Sequence, residues 1–354
     1  MRKKGREVKA TWPGGRDKSP VIARRNLLRI GLSAPLLLRA GRASGLPSAL
    51  LDAAKVHPQL RAIVIWQGGK EVAARGYRSF TPDDPANIKS ASKSLISAMA
   101  GIAIAKGILT GSDQTVASVL TDKLPENPDP RLLQVTLGDL LSMQSGMKPT
   151  EGAAYGEWAK SADWTRAALA LPMVGVPGEG GMLYSTASTH LVGAMIATAA
   201  RRSLLQLTRA WFGHVGNFAI TEWVQDPQGF YMGGNQLWMS TRSLMAFGAI
   251  YAAEGHAGRA EVVPYGWIRE SWKRRTTSPG SGAGYGYGWF LSEMNGRPVN
   301  FGWGYGGQMI YVAPGFRGAP PTAIAMTSDP ELPSGSNGYR EKLHGLAAEL
   351  LRVI

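Results

Sequence analysis

The sequence contains no cysteine. That excludes a disulfide framework, a thiolate nucleophile and a thiolate metal site. Histidine is sparse. His57, His190, His214, His256 and His344 are scattered, and none has a partner four residues away. Without such a pair, a metal centre is not expected. There is no P-loop signature and no G-x-S-x-G nucleophile elbow, so neither familiar motif supplies the chemistry. The longest apolar stretches fall short of the ~20 residues of a comfortable membrane span. No internal repeat and no low-complexity tract is visible.

The chain has 354 residues, enough for one large domain or two intimate ones. Its 45 Gly and 22 Pro imply many turns. The net charge of +14 invites a nucleic-acid reading, but the charge is unevenly placed. Residues 1–43 hold 12 of the 39 Lys/Arg and two of the 25 Asp/Glu, which leaves 27 against 23 in the body. A nearly balanced body does not predict a nucleic-acid partner. The basic excess belongs to a leader in which Ala23-Arg24-Arg25-Asn26-Leu27-Leu28-Arg29 is followed by an apolar stretch to Leu38. Gly41-Arg42-Ala43 then offers a small-x-small cleavage site. This leader resembles a twin-arginine export signal. A periplasmic or secreted protein is the expectation, or a cytoplasmic one if the leader is only a basic tail.

Within the body, Ser90 and Lys93 open an apolar stretch that runs to Ile108 without proline. A helix over this stretch places residues three apart on one face. A serine becomes a nucleophile when a neighbouring base takes its proton. A lysine held away from water can lose its charge and act as that base. The same residues also fit an N-cap serine with a snorkelling lysine. About one S-x-x-K is expected by chance in a chain this long, and Ser145–Lys148 is a second match. Pro149 disfavours helix at Lys148, so that match reads as a turn.

The order of elements predicts an α+β fold. A short helix over 46–56 precedes a hairpin of residues 61–66 and 71–77 about a Gly68-Gly69 turn. Residues 81–87 read as a loop. Helices are expected at 90–108, 115–120, 137–143 with Thr136 as N-cap, 158–171, 189–202, 240–254 and 265–275. Strands are expected at 285–291, 299–303, 308–312 and 322–327, with a closing helix at 339–353. Sequential strands without βαβ alternation imply an antiparallel sheet flanked by helices. The early hairpin then joins the late strands. The sheet parts are residues 46–87 and 283–354, and residues 88–282 form an inserted, mainly helical domain. The active site is expected where the two meet.

Two further stretches bear on chemistry. Gly302-Trp303-Gly304-Tyr305-Gly306-Gly307 contains a formal G-x-G-x-x-G, but strand follows where a dinucleotide site needs helix. Such a cluster is either a plain hairpin turn or a place where backbone approaches closely. Its N–H groups could then form half of an oxyanion hole. Tyr184-Ser185-Thr186 follows a Pro/Gly-rich loop and precedes a helix. Tyr184 reads as a half-buried packing residue or, beside Ser90 and Lys93, as a second proton carrier. Trp289, Trp303 and Tyr305 read as core, or in part as walls of an acyl pocket.

Taken together, Ser90-Ala91-Ser92-Lys93, Tyr184-Ser185-Thr186 and Gly302 to Gln308 resemble the β-lactamase-related serine hydrolases. This is the class C β-lactamase-like, penicillin-recognising group, which includes esterases, D-amino-acid peptidases and 6-aminohexanoate-dimer hydrolases. The connecting stretches Thr136 to Gly146, Leu191 to Gly193 and Met239 to Leu244 also resemble family segments. The resemblance implies Ser90 as nucleophile, Lys93 as base and Tyr184 as proton carrier. It implies oxyanion or substrate contacts at Gly304, Tyr305 and Thr186. The partner would be a small ester or amide, with no cofactor and no metal. Two departures stand out. Thr186 occupies the place of the usual Asn, and Phe301-Gly302-Trp303-Gly304 lacks the usual Lys or His. The esterase and 6-aminohexanoate-dimer hydrolase branch shares such departures. A catalytically weak penicillin-binding-like protein, a D-amino-acid peptidase or a β-lactamase is the alternative.

Overall fold

The Gly68-Gly69 pair turns a hairpin because both residues take positive φ, +54° and +102°. The computed structural model describes residues 45–354, so the basic leader lies outside the described residues. Helix α1 (Gly45–Ala53) leads into this hairpin of β1 (Leu60–Gln67) and β2 (Lys70–Gly76). A short strand β3 (Pro85–Asn87) and a single 3-10 turn, Lys89–Ala91, precede α2 (Ser92–Ala105). Next come α3 (Val116–Val119), α4 (Leu137–Leu141), α5 (Ala153–Trp158), α6 (Trp164–Leu169), α7 (Thr186–Ala200) and α8 (Leu204–Phe212). Strands β4 (Glu222–Trp223) and β5 (Leu237–Ser240) lead to α9 (Thr241–Ala252). The pair β6 (His256–Ala257) and β7 (Ala260–Glu261) precedes α10 (Tyr265–Ser271). The chain closes with β8 (Thr276–Thr277), β9 (Gly284–Tyr285), β10 (Phe290–Met294), β11 (Arg297–Gly304), β12 (Gln308–Ala313), β13 (Thr322–Ser328) and α11 (Tyr339–Val353).

The main sheet has eight strands in the order β2-β1-β13-β12-β11-β10-β9-β8. All neighbours are antiparallel, and β1 meets β13 with Ile65 opposite Ile324. The early hairpin therefore joins the late strands, as the element order predicts. Side chains alternate between faces along each strand. Val64, Ile310, Val312, Ala323 and Ala325 pack with α9 and the central helices. Ile63, Ile65, Met309, Tyr311, Ile324 and Met326 pack with α1 and α11. Both faces are covered, so β13 is buried along its whole length, with the apolar run Ala323–Met326 between Thr322 and Thr327.

The middle of the chain is mainly helical but not wholly so. β3, β5 and β4 form a small three-stranded sheet, and β6 with β7 forms a two-stranded one. The expected loop over 81–87 thus ends in a strand. The expected helix over 158–171 is shorter, α6 alone, which Asp163 caps, and Trp158 instead ends the separate helix α5. Thr136 caps α4 as expected, in a capping box closed by Asp139. The stretch from Ser90 also differs from the expectation. Ser90 lies in the 3-10 turn, and the α-helix begins at Ser92. Lys89 takes a left-handed φ of 49°, which separates β3 from the helix. Among the described residues, no helix is long and apolar enough to cross a membrane.

Candidate active site

Ser90 is presented by a turn that is pinned from both sides. The Lys89 N–H donates to Asn87 Oδ1 at 3.0 Å, and Asn87 Nδ2 donates to Gln236 Oε1 at 2.6 Å. Ser92 Oγ donates to the Lys89 carbonyl at 2.7 Å. Lys93, one helical turn on, is 1% exposed. Its Nζ lies 2.9 Å from Ser90 Oγ, 3.1 Å from Thr186 Oγ1 and 2.9 Å from the Gly234 carbonyl oxygen. Its direct contacts include no carboxylate. Burial pushes the Lys93 pKa down to about 8, and the Glu151 charge partly offsets this. A buried amine of that kind is a base near neutral pH.

Tyr184 arrives from the loop before α7. Its ring lies over the ammonium of Lys93, 5.0 Å to the centroid, and packs against Tyr285 and Phe290. Burial raises the Tyr184 pKa and the Glu151 charge adds to that, while hydrogen bonding with Ser90 acts in the opposite sense. The phenol is therefore held protonated and can donate. The Ser185 hydroxyl caps α7, so Thr186 is the first residue of that helix and is buried. The structure brings Ser90, Lys93, Tyr184 and Thr186 into one cluster.

The glycines of β11 have a different neighbour from a phosphate. A Cβ on Gly304 would sit 2.2 Å from the Ile88 carbonyl oxygen, and one on Gly302 would sit 2.8 Å from Ser94 Oγ. The strand therefore lies directly against the segment that carries Ser90. β12 follows as the antiparallel partner, which disposes of the dinucleotide pattern. Tyr305 is 49% exposed at the hairpin tip. Its ring lies outside the core and, among the described residues, makes no hydrogen bond or ring contact with Ser90, Lys93, Tyr184 or Thr186. Trp289 is core, whereas Trp303 is half-buried and donates from Nε1 to Ser334 Oγ at 3.2 Å. The rival pair is not a site. Ser145 is buried beside Ser188, and Lys148 is exposed.

Two participants have no counterpart in the sequence reading. One is Gly234, whose φ of +82° turns its carbonyl onto Lys93. A Cβ there would lie 2.7 Å from Lys93 Cγ. The preceding N–H, of Gly233, donates to His190 Nδ1 at 3.4 Å, so this buried histidine steadies the turn. The other is Glu151, whose Oε1 accepts from Thr186 Oγ1 at 2.9 Å. Glu151 is exposed, but its backbone neighbour Thr150 is stapled to α7 through Ser185 Oγ (3.0 Å) and the Ala187 N–H (2.9 Å). The only sequence signals were the Gly233-Gly234 pair and a lone acid after a Pro-Thr turn. A groove of about 660 Å³ lined by Trp66, Lys70, His214, Met245 and His256 shares no residue with this cluster.

No curated protein matches the chain. Solved structures do. A protein from Bacillus anthracis whose description names a 6-aminohexanoate-dimer hydrolase superposes with a TM-score of 0.70 at 18% identity, covering 86% of this chain and 81% of its own. The D-amino acid amidase from Ochrobactrum anthropi SV3 gives 0.66 at 15% identity, with 87% and 100% covered. A penicillin-binding protein homolog from Caulobacter crescentus gives 0.65 at 16% identity, with 88% and 96% covered. At these identities the likeness shows the fold. The family model described as Beta-lactamase matches residues 55–349, which is most of the described chain. On that match the chain belongs to the beta-lactamase family of hydrolases.

Proposed function

We propose that the protein is a serine hydrolase that cleaves an ester or amide of a small substrate through an acyl-enzyme on Ser90. The observation that carries this is the 2.9 Å contact between Ser90 Oγ and the buried amine of Lys93. In acylation, neutral Lys93 takes the Ser90 proton as Oγ bonds to the substrate carbonyl carbon. The carbonyl oxygen becomes an oxyanion facing the Ser90 N–H and the Gly304–Tyr305 edge of β11. As the tetrahedral intermediate collapses, Tyr184 or Lys93 gives a proton to the departing alcohol or amine. Water then attacks the acyl carbon, loses its proton to the same base and frees Ser90. β11 carries no Lys or His in its Phe301–Gly304 segment, and Lys89 is paired with Glu331 at 3.1 Å. Neutral esters and amides suit such a site better than substrates anchored by a carboxylate. This favours esterase or amidase activity over β-lactamase or peptidoglycan peptidase activity.

A fluorophosphonate probe tests this without knowledge of the substrate. The expected result is one adduct, located on Ser90 by peptide mass mapping and absent from Ser90→Ala. The groups facing Lys93 are Ser90, Thr186, the Gly234 carbonyl and the Tyr184 ring, with Glu151 beyond Thr186. Only neutral Lys93 can accept the proton. The labelling rate should therefore rise with pH through a midpoint near 8, the value set by burial. No adduct, or an adduct on another residue, overturns the proposal. Multiple turnover of p-nitrophenyl esters or amino-acid amides separates a hydrolase from a protein that acylates and stops. We further propose that the twin-arginine-like leader exports the chain to the periplasm or beyond. N-terminal sequencing of the exported form should begin just after Ala43.

A further inference from the structure

A neutral lysine amine has two N–H donors and one lone pair. Catalysis needs the lone pair on Ser90, so both N–H groups must point elsewhere. The Gly234 carbonyl takes one, since a carbonyl can only accept (2.9 Å). The Thr186 hydroxyl is placed to take the other at 3.1 Å. A hydroxyl, however, both donates and accepts. If it donated to Lys93, it would occupy the lone pair and leave Ser90 without a base. The direction is decided by Glu151, whose carboxylate accepts the single Thr186 proton at 2.9 Å. With that proton committed, Thr186 Oγ1 can only accept from Lys93.

We infer that Glu151 is a positioning residue for the Ser90–Lys93 pair: by binding the Thr186 proton it makes that hydroxyl an obligate acceptor and leaves the lysine lone pair aimed at the serine. The inference rests on the acyl-enzyme reading above. It also gives the Thr186 departure a physical account. An asparagine at this position would present a carbonyl oxygen that accepts without help. Threonine cannot do so alone, and the carboxylate supplies what is missing. An exposed carboxylate ordinarily contributes little. This one acts through a buried hydroxyl, and the Thr150–Ser185–Ala187 contacts hold its loop in place.

A double-mutant cycle tests this, read as the rate constant for fluorophosphonate labelling of Ser90. Glu151→Ala in the parent should slow labelling on the order of 10–100-fold, within the range of proton-positioning effects. Glu151→Gln keeps an accepting oxygen and should recover most of the rate. In a Thr186→Asn background, whatever its own rate, Glu151→Ala should change labelling by less than about threefold. Thermal melts establish that each variant is folded. If Thr186→Asn does not fold, Thr186→Val serves, because without a hydroxyl there is no proton for Glu151 to direct. The same factor for Glu151→Ala in both backgrounds overturns the inference, as does an unchanged rate in the parent. Absence of any Ser90 adduct in the parent overturns the acyl-enzyme reading instead, so the two failures are distinguishable.

Discussion

Replacing Lys93 with methionine is expected to slow Ser90 acylation by about 10³-fold, within the 10²–10⁴ range of general-base catalysis, and to leave stability nearly unchanged below pH 8 while lowering it in alkaline solution. Both effects have one cause. Lys93 is 1% exposed, and its nearest carboxylate is reached only through Thr186. Its pKa falls from 10.5 when unfolded to about 8 when folded. The sign follows from proton uptake. Above both values the amine is neutral in both states, and burial carries no ionisation penalty. As pH falls from 10.5 to 8, the unfolded chain gains a proton that the folded chain refuses, so stability declines. Below 8 the penalty is constant, and the shift from 10.5 to about 8 corresponds to about 3 kcal/mol. Methionine fills similar space without charge. It forfeits the hydrogen bonds to Ser90, Thr186 and Gly234, at about 1 kcal/mol each. The two sums nearly cancel, so the net expectation at pH 6.5 is little change in melting temperature despite the loss of three hydrogen bonds. By pH 10, where most of the ionisation penalty is gone, the variant should be less stable than the parent by roughly 2 kcal/mol. A variant that melts as far below the parent at pH 6.5 as at pH 10 would show that the buried amine carries no ionisation penalty.

That trade also explains which parts of the site were legible in the sequence. Ser90 and Lys93 could be read because helical spacing links them, and Tyr184 and Thr186 because they share one short motif. Gly234 and Glu151 could not be read so. Gly234 contributes a carbonyl, a group every residue has, and only its φ of +82° aims that carbonyl at Lys93. Glu151 lies on a loop with no periodicity, and its partner is a threonine hydroxyl rather than a cation. The same physics divides the fold. β1, β12 and β13 are legible because burial on both faces gives each a continuous apolar run of four or five residues. β3, β4 and β5 have two to four residues each, too few to show any period. Yet β3 and the turn before β5 carry Asn87 and Gln236, the residues that hold the Ser90 turn. The glycine cluster was legible as a place of close approach, but not as to what approaches. The structure identifies the neighbour as the chain itself, at Ile88 and Ser94.

The closeness of that approach sets the second large effect. Gly304→Ala is expected to slow acylation by about 10²–10³-fold, the usual loss when an oxyanion donor is misplaced, and to destabilise the fold by roughly 1–3 kcal/mol. The added Cβ would lie 2.2 Å from the Ile88 carbonyl oxygen and 3.1 Å from its carbon. Neither atom can retreat freely. The Ile88 carbonyl accepts from the Ala91 N–H at 3.1 Å, and the Ile88 N–H donates to the Leu237 carbonyl at 2.9 Å. The strand must therefore move away from the turn, carrying the Tyr305 N–H away from Ser90. Lys93 contacts Ser90 from α2, and Thr186 and Glu151 act on Lys93 from α7 and the loop before α5 rather than from β11, so the labelling midpoint near pH 8 should persist while the maximal rate falls. Gly345→Ala is the control. It lies within α11 with nothing near its Cβ position, and alanine there should add about 0.5–1 kcal/mol through helix propensity without changing the rate. Melting curves and Ser90 labelling read both variants. Parental labelling by a folded Gly304→Ala protein would mean that β11 contributes no oxyanion donor, and that stabilisation of the intermediate falls to the Ser90 turn alone.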